Sequence, residues 1–298
     1  MELSIQGLKE AFEKEGYISE DEIALTVYLA LKLEKPLLIE GAAGVGKTEI
    51  AKVLSRIFDT ELIRLQCYEG LDENKALYEW NYQRQLIKIQ MSKDTVRDDE
   101  LEHNLFSREY LLERPLLRAI LAEKRPVLLV DEIDKTDEEF EAFLFELLSD
   151  FQISIPEMGT LSAKQIPIVV LTSNNERELS DGLKRRCVYL YIDYPTVEKE
   201  VRIINTRVPE AGAILARQVA TAVNYIRSNL EIKKNPSIAE TLDWARALVA
   251  LEADRLSPTL IKQTLNLVLK HRDDLQGFHE RIGAEGLYDY VTTVKEGL

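Results

Sequence analysis

Gly41-Ala42-Ala43-Gly44-Val45-Gly46-Lys47-Thr48 fits the pattern G-x-x-x-x-G-K-[ST], and it lies behind an apolar run, Pro36-Leu37-Leu38-Ile39-Glu40, and ahead of a helix-like stretch over residues 49–58. Strand, glycine loop and helix in that order form the context of a phosphate-binding loop. The glycines let the backbone curl until its N–H groups converge on a phosphate, and the helix N-terminus adds partial positive charge at the same point. Gly41, Ala42, Ala43, Gly44, Val45 and Gly46, followed by Lys47, Thr48 and Glu49, are therefore expected to cradle a nucleoside triphosphate. Lys47 would meet the β- and γ-phosphates, and Thr48 would ligate Mg²⁺.

Working outward, apolar residues at Ile23, Ala24, Val27, Ala30 and Leu31 predict a helix over residues 20–33. Strands are predicted over 61–67, 166–172 and 188–193, and the most apolar one runs through Val127-Leu128-Leu129-Val130. Helices are predicted over 114–123 and 138–151, while residues 76–91 have no clear period. Two short extended pieces, 151–155 and 161–165 around Met158-Gly159, predict a small hairpin kept to an edge or surface by Pro156 and Pro167. Strands alternating with helices imply an α/β fold, a three-layer sandwich on a parallel sheet. After Tyr194-Pro195 the texture becomes helical, over 197–208, 212–230, 237–253 and 257–270. The expected division is thus an α/β nucleotide-binding domain over 1–195 and a smaller all-helical lid over 196–298.

Of the 298 residues, 38 are Lys or Arg and 52 Asp or Glu, a formal charge of −14 that disfavours long electrostatic contact with nucleic acid or an anionic membrane. The start, Met1-Glu2-Leu3-Ser4-Ile5-Gln6, lacks a signal-peptide pattern, and no apolar run reaches the ~20 residues of a membrane span. Cys67 and Cys187 have no metal or CxxC spacing and read as free thiols of a cytoplasmic protein. His103, His271 and His279 are scattered, and no metal role follows from them.

Asp131-Glu132 follows the apolar strand at the edge where ligands gather in an open parallel sheet. Asp131 can support Mg²⁺ through water, and Glu132 can deprotonate the attacking water. Leu171-Thr172-Ser173-Asn174-Asn175 ends another strand with amides able to contact a γ-phosphate, although Asn is also a common turn residue. Leu183-Lys184-Arg185-Arg186-Cys187 offers either an arginine for a neighbouring subunit's site or a solvated basic run.

Together these pieces resemble the AAA+ ATPases, and more narrowly the MoxR-type group with its CoxD-like relatives. The narrower likeness is carried by Tyr68-Glu69-Gly70-Leu71-Asp72, Ala76-Leu77-Tyr78-Glu79-Trp80-Asn81-Tyr82, Arg177-Glu178-Leu179-Ser180 after the amide strand, and Pro236-Ser237-Ile238-Ala239-Glu240-Thr241-Leu242-Asp243-Trp244-Ala245-Arg246. The resemblance implies a homo-oligomeric ring, commonly a hexamer, that hydrolyses ATP with Mg²⁺ to remodel or activate other proteins. Its frequent partner is a protein with a von Willebrand factor A domain, often tied to maturation of a metalloenzyme. Carried over, Lys47, Thr48, Asp131 and Glu132 keep the roles above, Asn174 is the first sensor, and Arg186 is the arginine finger with Arg185 its rival. The inserts around Trp80 and Met158-Gly159 also match, and Tyr68 lies where a pore aromatic or a fold anchor would sit.

The lid departs from many members, because Ser237 is followed by Ile238-Ala239-Glu240 where they place an arginine. Arg246 is then the nearest arginine for a second sensor, or else a surface partner of Asp243. Two other functions compete. A nucleic-acid-directed AAA+ protein, of clamp-loader or motor type, meets the acidic balance and the absence of a basic tail. A small-molecule kinase needs neither the Asp131-Glu132 pair nor an outward arginine. The residues from Leu275 onward, with Phe278, Tyr288 and Tyr290, can dock on the lid or on a neighbour.

Overall fold

A computed structural model of the chain describes residues 4–92, 105–156 and 158–293, so His103 lies outside the described residues. Two compact units emerge. One gathers Glu20–Gly41 and Lys47–Tyr191 with the N-terminal residues up to Ala11; the other gathers Phe12–Ser19, Ala42–Gly46 and the residues from Ile192 onward.

Among the described residues the strands, in chain order, are β1 (Leu37–Gly41), β2 (Leu62–Gln66), β3 (Tyr78–Trp80), β4 (Leu111–Glu113), β5 (Val127–Asp131), β6 (Gln152–Ile155), β7 (Gly159–Ser162), β8 (Ile168–Ser173) and β9 (Val188–Ile192). Five of them form the main sheet in the order β2-β5-β8-β1-β9. β2 with β5, β5 with β8, and β8 with β1 pair in parallel, so the carboxyl ends of these four strands lie along one edge. β5 and β8 are buried along their whole length, as continuous apolar runs in a sheet covered on both faces should be. Burying each Val or Leu of β5 contributes about 1.5–3 kcal/mol, which holds Asp131 at a rigid strand end.

The helix Asp21–Leu33 buries Ile23, Ala24, Val27, Ala30 and Leu31, the face its spacing predicts. The helix Glu138–Asp150 starts at Asp137, whose carboxylate accepts from the Phe140 N–H, an ordinary N-cap. β6 and β7 make the expected antiparallel hairpin. Residues 76–91 resolve into β3, which pairs with β4, and the helix Tyr82–Ser92. Their mixed pattern has a cause: a three-residue strand and a helix that leaves Leu86, Ile87 and Met91 exposed share the segment, and neither period runs long enough to show.

In the second unit the helices Val197–Arg207, Gly212–Asn229, Ile238–Ala250 and Pro258–Thr264 enclose Trp244, whose indole N–H donates to Thr264 Oγ1 at 2.7 Å. The helices Arg272–Arg281 and Gly283–Thr293 add Phe278, Leu287 and Val291 to the same core. The C-terminal aromatics therefore pack within their own chain, and Tyr290 lies 4.5 Å from the Tyr225 ring. No described helix is long and apolar enough to cross a membrane.

Candidate active site

β1 delivers the glycine loop at its carboxyl end. Gly44 and Gly46 have φ of +75° and +99°, the left-handed region that side chains disfavour. Gly44 also lies against Ser237 within the second unit, where an added Cβ would stand 2.5 Å from the serine Cβ, so a larger residue cannot enter without moving the loop. Ser237 caps the helix Ile238–Ala250 in a reciprocal capping box with Glu240.

Lys47 opens the helix Lys47–Ile57 and is buried, its ammonium donating to the Gly41 carbonyl at 2.7 Å and to Asn174 Oδ1 at 2.8 Å. Burial lowers its pKa, and the carboxylates of Asp134, Asp131 and Glu132 pull the other way. Thr48 Oγ1 donates to Asp131 Oδ1 at 3.0 Å, so a hydroxyl and a carboxylate stand together at the foot of the loop. Hard oxygen donors of this kind suit Mg²⁺.

Asp131 is held on every side. Thr172 Oγ1 donates to Oδ1 at 2.5 Å, while Arg64 reaches Oδ2 through Nη2 at 2.6 Å and Nε at 3.1 Å. Thr172 Oγ1 also accepts from the Glu132 N–H at 3.0 Å, tying the β5 end to β8. Glu132 turns out of the strand in a left-handed conformation, φ 60° and ψ 51°. Such a backbone costs a non-glycine residue of order 1–3 kcal/mol and persists only where its surroundings hold it. Here Glu132 Oε2 accepts from Lys135 Nζ at 2.6 Å and Gln66 Nε2 at 3.0 Å, and Oε1 faces Asn174 Nδ2 at 3.4 Å.

Asn174 thus touches both the Lys47 ammonium and the Glu132 carboxylate. Asp134 keeps it there, because its Oδ2 accepts from the Asn174 N–H at 3.0 Å and the Glu176 N–H at 2.9 Å. Arg64, Gln66, Thr172, Asp134 and Lys135 are site residues that the motifs alone did not single out. One signal existed: Arg64 and Gln66 alternate with Ile63 and Leu65, which puts two polar side chains on one face of a strand end beside Asp131.

Arg186, exposed at the end of the helix Asp181–Arg186, donates to Ser149 Oγ at 2.7 Å and to the Gly182 carbonyl at 3.0 Å, and Arg185 beside it is also exposed. That helix is anchored by Glu141, fully buried, which accepts from Arg177 and from the Ser180 N–H. Arg246 is exposed and pairs with Asp243 at 3.0 Å. Trp80 is buried edge-on to Tyr78 and Phe106, whereas Tyr68 is exposed in the loop after β2. Glu49 lies in the first turn of the glycine-loop helix and pairs outward with Arg56 and Lys52.

Burial, reinforced by the negative charges of Asp131, Asp134 and Glu132, pushes the Cys67 thiol up to about 12. At pH 8 it is then protonated almost entirely, and the thiolate is the reactive form. Iodoacetamide is expected to modify Cys67 slowly in the native protein and rapidly after unfolding, which peptide mass spectrometry can follow. Fast labelling of the native chain would mean that the strand end opens.

The AAA-domain family of the dynein-related subfamily matches residues 36–187, the span from β1 to the helix carrying Arg185 and Arg186. An uncharacterized protein of Staphylococcus aureus is 26% identical over 228 residues, covering 74% of this chain and 77% of its own. One from Staphylococcus epidermidis is 22% identical over 228 residues, covering 74% and 78%. Among solved structures, the Thermotoga maritima RuvB Holliday junction branch migration motor superposes with a TM-score of 0.51 at 17% identity, over 91% of this chain and 73% of that one. Its K64R mutant gives 0.51 at 16% identity, over 97% and 73%. At such identities the likeness is one of fold.

Proposed function

The chain belongs to the AAA domains of the dynein-related subfamily, and from that premise we propose that it is a ring-forming, Mg²⁺-dependent ATPase of MoxR type that remodels partner proteins. The observation that carries this is the meeting of Lys47, Thr48, Asp131, Glu132 and Asn174 at one edge of the sheet. Lys47 exchanges the Gly41 carbonyl and Asn174 for phosphate oxygens and neutralises charge on the β- and γ-phosphates. Glu132 takes a proton from water as its oxygen attacks the γ-phosphorus and the bond to the leaving ADP oxygen breaks. Asn174 holds that water and the γ-phosphate in line. When bound, Mg²⁺ supplies further charge neutralisation, and Thr48 with Asp131 are the residues that would hold it.

Arg186, with Arg185 as its rival, acts in this proposal on the site of the next subunit. What supports it is exposure at a helix end anchored by the Glu141–Arg177 pair. Arg246 serves as a second sensor, and the client is a protein, with a von Willebrand factor A domain protein as the natural partner in a cytoplasmic setting. Arg186→Ala and Glu132→Gln subunits should each be inactive alone, yet their mixture should regain part of the wild-type turnover, because some interfaces join an intact finger to an intact base. Absence of recovery in mixtures shown by native mass spectrometry to co-assemble would sink action between subunits. Turnover that rises with added DNA and falls with salt would instead favour a nucleic-acid-directed ATPase.

A further inference from the structure

Arg64 is a charged residue that the hydrolytic scheme does not use, yet its ionic contact with Asp131, 2.6 Å, is as short as that of Lys135 with Glu132. The Asp131 side chain is 4% exposed, and its two oxygens are already occupied: Oδ1 by two hydroxyls, Oδ2 by Nη2 and Nε of the Arg64 guanidinium. The carboxylate that should support the metal is thus neutralised and hydrogen-bonded by the protein itself. Arg64 has a way into solvent, because its own side chain is 51% exposed and extends from an outward-facing position of β2, opposite Leu129.

We propose that Arg64 is the resident counterion of Asp131, a positioning residue that keeps this carboxylate paired and aligned before loading and sets the divalent-ion concentration at which the site fills. The inference rests on the Mg²⁺–nucleotide reading of the site. A buried carboxylate without a partner is costly, which gives the metal-free site a reason to keep a cation. A divalent ion drawn to the same carboxylate meets the positive guanidinium, and like charges a few ångströms apart repel strongly even at an intermediate dielectric. The half-exposed arginine relieves that repulsion by swinging into water, at the expense of its two hydrogen bonds to Asp131. Loading therefore has a threshold that a neutral residue at position 64 would lower.

Gln66 extends the effect. Arg64 Nη2 donates to Gln66 Oε1, and this fixes the amide so that its Nε2 faces Glu132. A guanidinium that leaves Asp131 also releases the amide that restrains Glu132.

The test uses the full chain with saturating ADP and Mn²⁺ as a paramagnetic probe, free Mn²⁺ being read by electron paramagnetic resonance. Arg64→Met is expected to lower the Mn²⁺ midpoint about tenfold, and Arg64→Gln, which keeps a donor without the charge, to do the same. Arg64→Lys, which keeps the charge, should stay within about twofold of the wild type. A lysine variant that follows the methionine variant would overturn the charge argument. So would a midpoint in Arg64→Met and Arg64→Gln that equals the wild-type value or exceeds it. ADP binding in EDTA is measured beside these. A wild type that binds neither ADP nor Mn²⁺ would overturn the nucleotide reading itself, an outcome distinct from wild-type binding that Arg64 does not influence.

Discussion

Glu132→Gln is expected to lower the rate of ATP hydrolysis by about 10²- to 10⁴-fold while leaving nucleotide binding near the wild-type value. The amide has the shape of the carboxylate but cannot take a proton from water. Little else should change. The left-handed backbone at this position suits glutamine as well as glutamate, and the carbonyl oxygen of the new amide can still accept from Gln66. The ion pair with Lys135 is lost, but both partners are about a third exposed, and such surface pairs contribute about 0–1 kcal/mol. Single-turnover phosphate release beside fluorescent nucleotide binding separates the two effects. Retention of more than a tenth of the wild-type rate would remove Glu132 as the base and turn attention to other carboxylates of the cluster.

The second large effect concerns stability and lies in the helical unit. Arg227, 5% exposed, pairs end-on with Glu200, which is fully buried, through Nη1 to Oε2 at 2.7 Å and Nη2 to Oε1 at 2.9 Å. The remaining capacity is used as well. Arg227 Nε donates to the Pro236 carbonyl at 2.7 Å, Thr241 Oγ1 donates to Glu200 at 2.6 Å, and the guanidinium lies 4.8 Å from the Tyr194 ring centroid. Arg227→Met leaves a carboxylate buried without a counterion, a change worth about 3–5 kcal/mol of destabilisation. Thermal unfolding followed by fluorescence should show the midpoint falling by roughly 10 °C. Adding Glu200→Leu to the same chain should recover most of the loss, because apolar packing replaces a desolvated pair at little net cost. A single variant that loses less than about 1 kcal/mol would mean that water reaches Glu200.

Parts of this architecture are legible in the sequence. Asp21–Leu33 buries the five residues its spacing marks, since a long amphipathic helix repeats its signal over three turns. β5 and β8 announce themselves as unbroken apolar runs. The segment after β2 does not, because β3 spans three residues and finds its partner β4 some thirty positions later, and pairing at that separation leaves no local pattern. Arg227 and Glu200 escape for the same reason: each sits on a helix where a charged residue reads as solvent-facing, and only the packing of three helices buries both.

By itself the sequence determined the chemistry on offer: a glycine loop that can hold phosphate, a lysine and a threonine at its end, two carboxylates and an asparagine at strand ends, and an acidic chain. These signals are local, since each needs only a strand, a turn and the residue types that follow. Tertiary structure alone decided how they are used. The order β2-β5-β8-β1-β9 sets Asn174 between Lys47 and Glu132, brings Thr172 onto Asp131, and lays Arg64 and Gln66 of β2 across both carboxylates. Parallel pairing joins strands from distant parts of the chain, so the register that aligns Gln66 with Asp131 is a long-range contact, and no window of sequence around the glycine loop contains it.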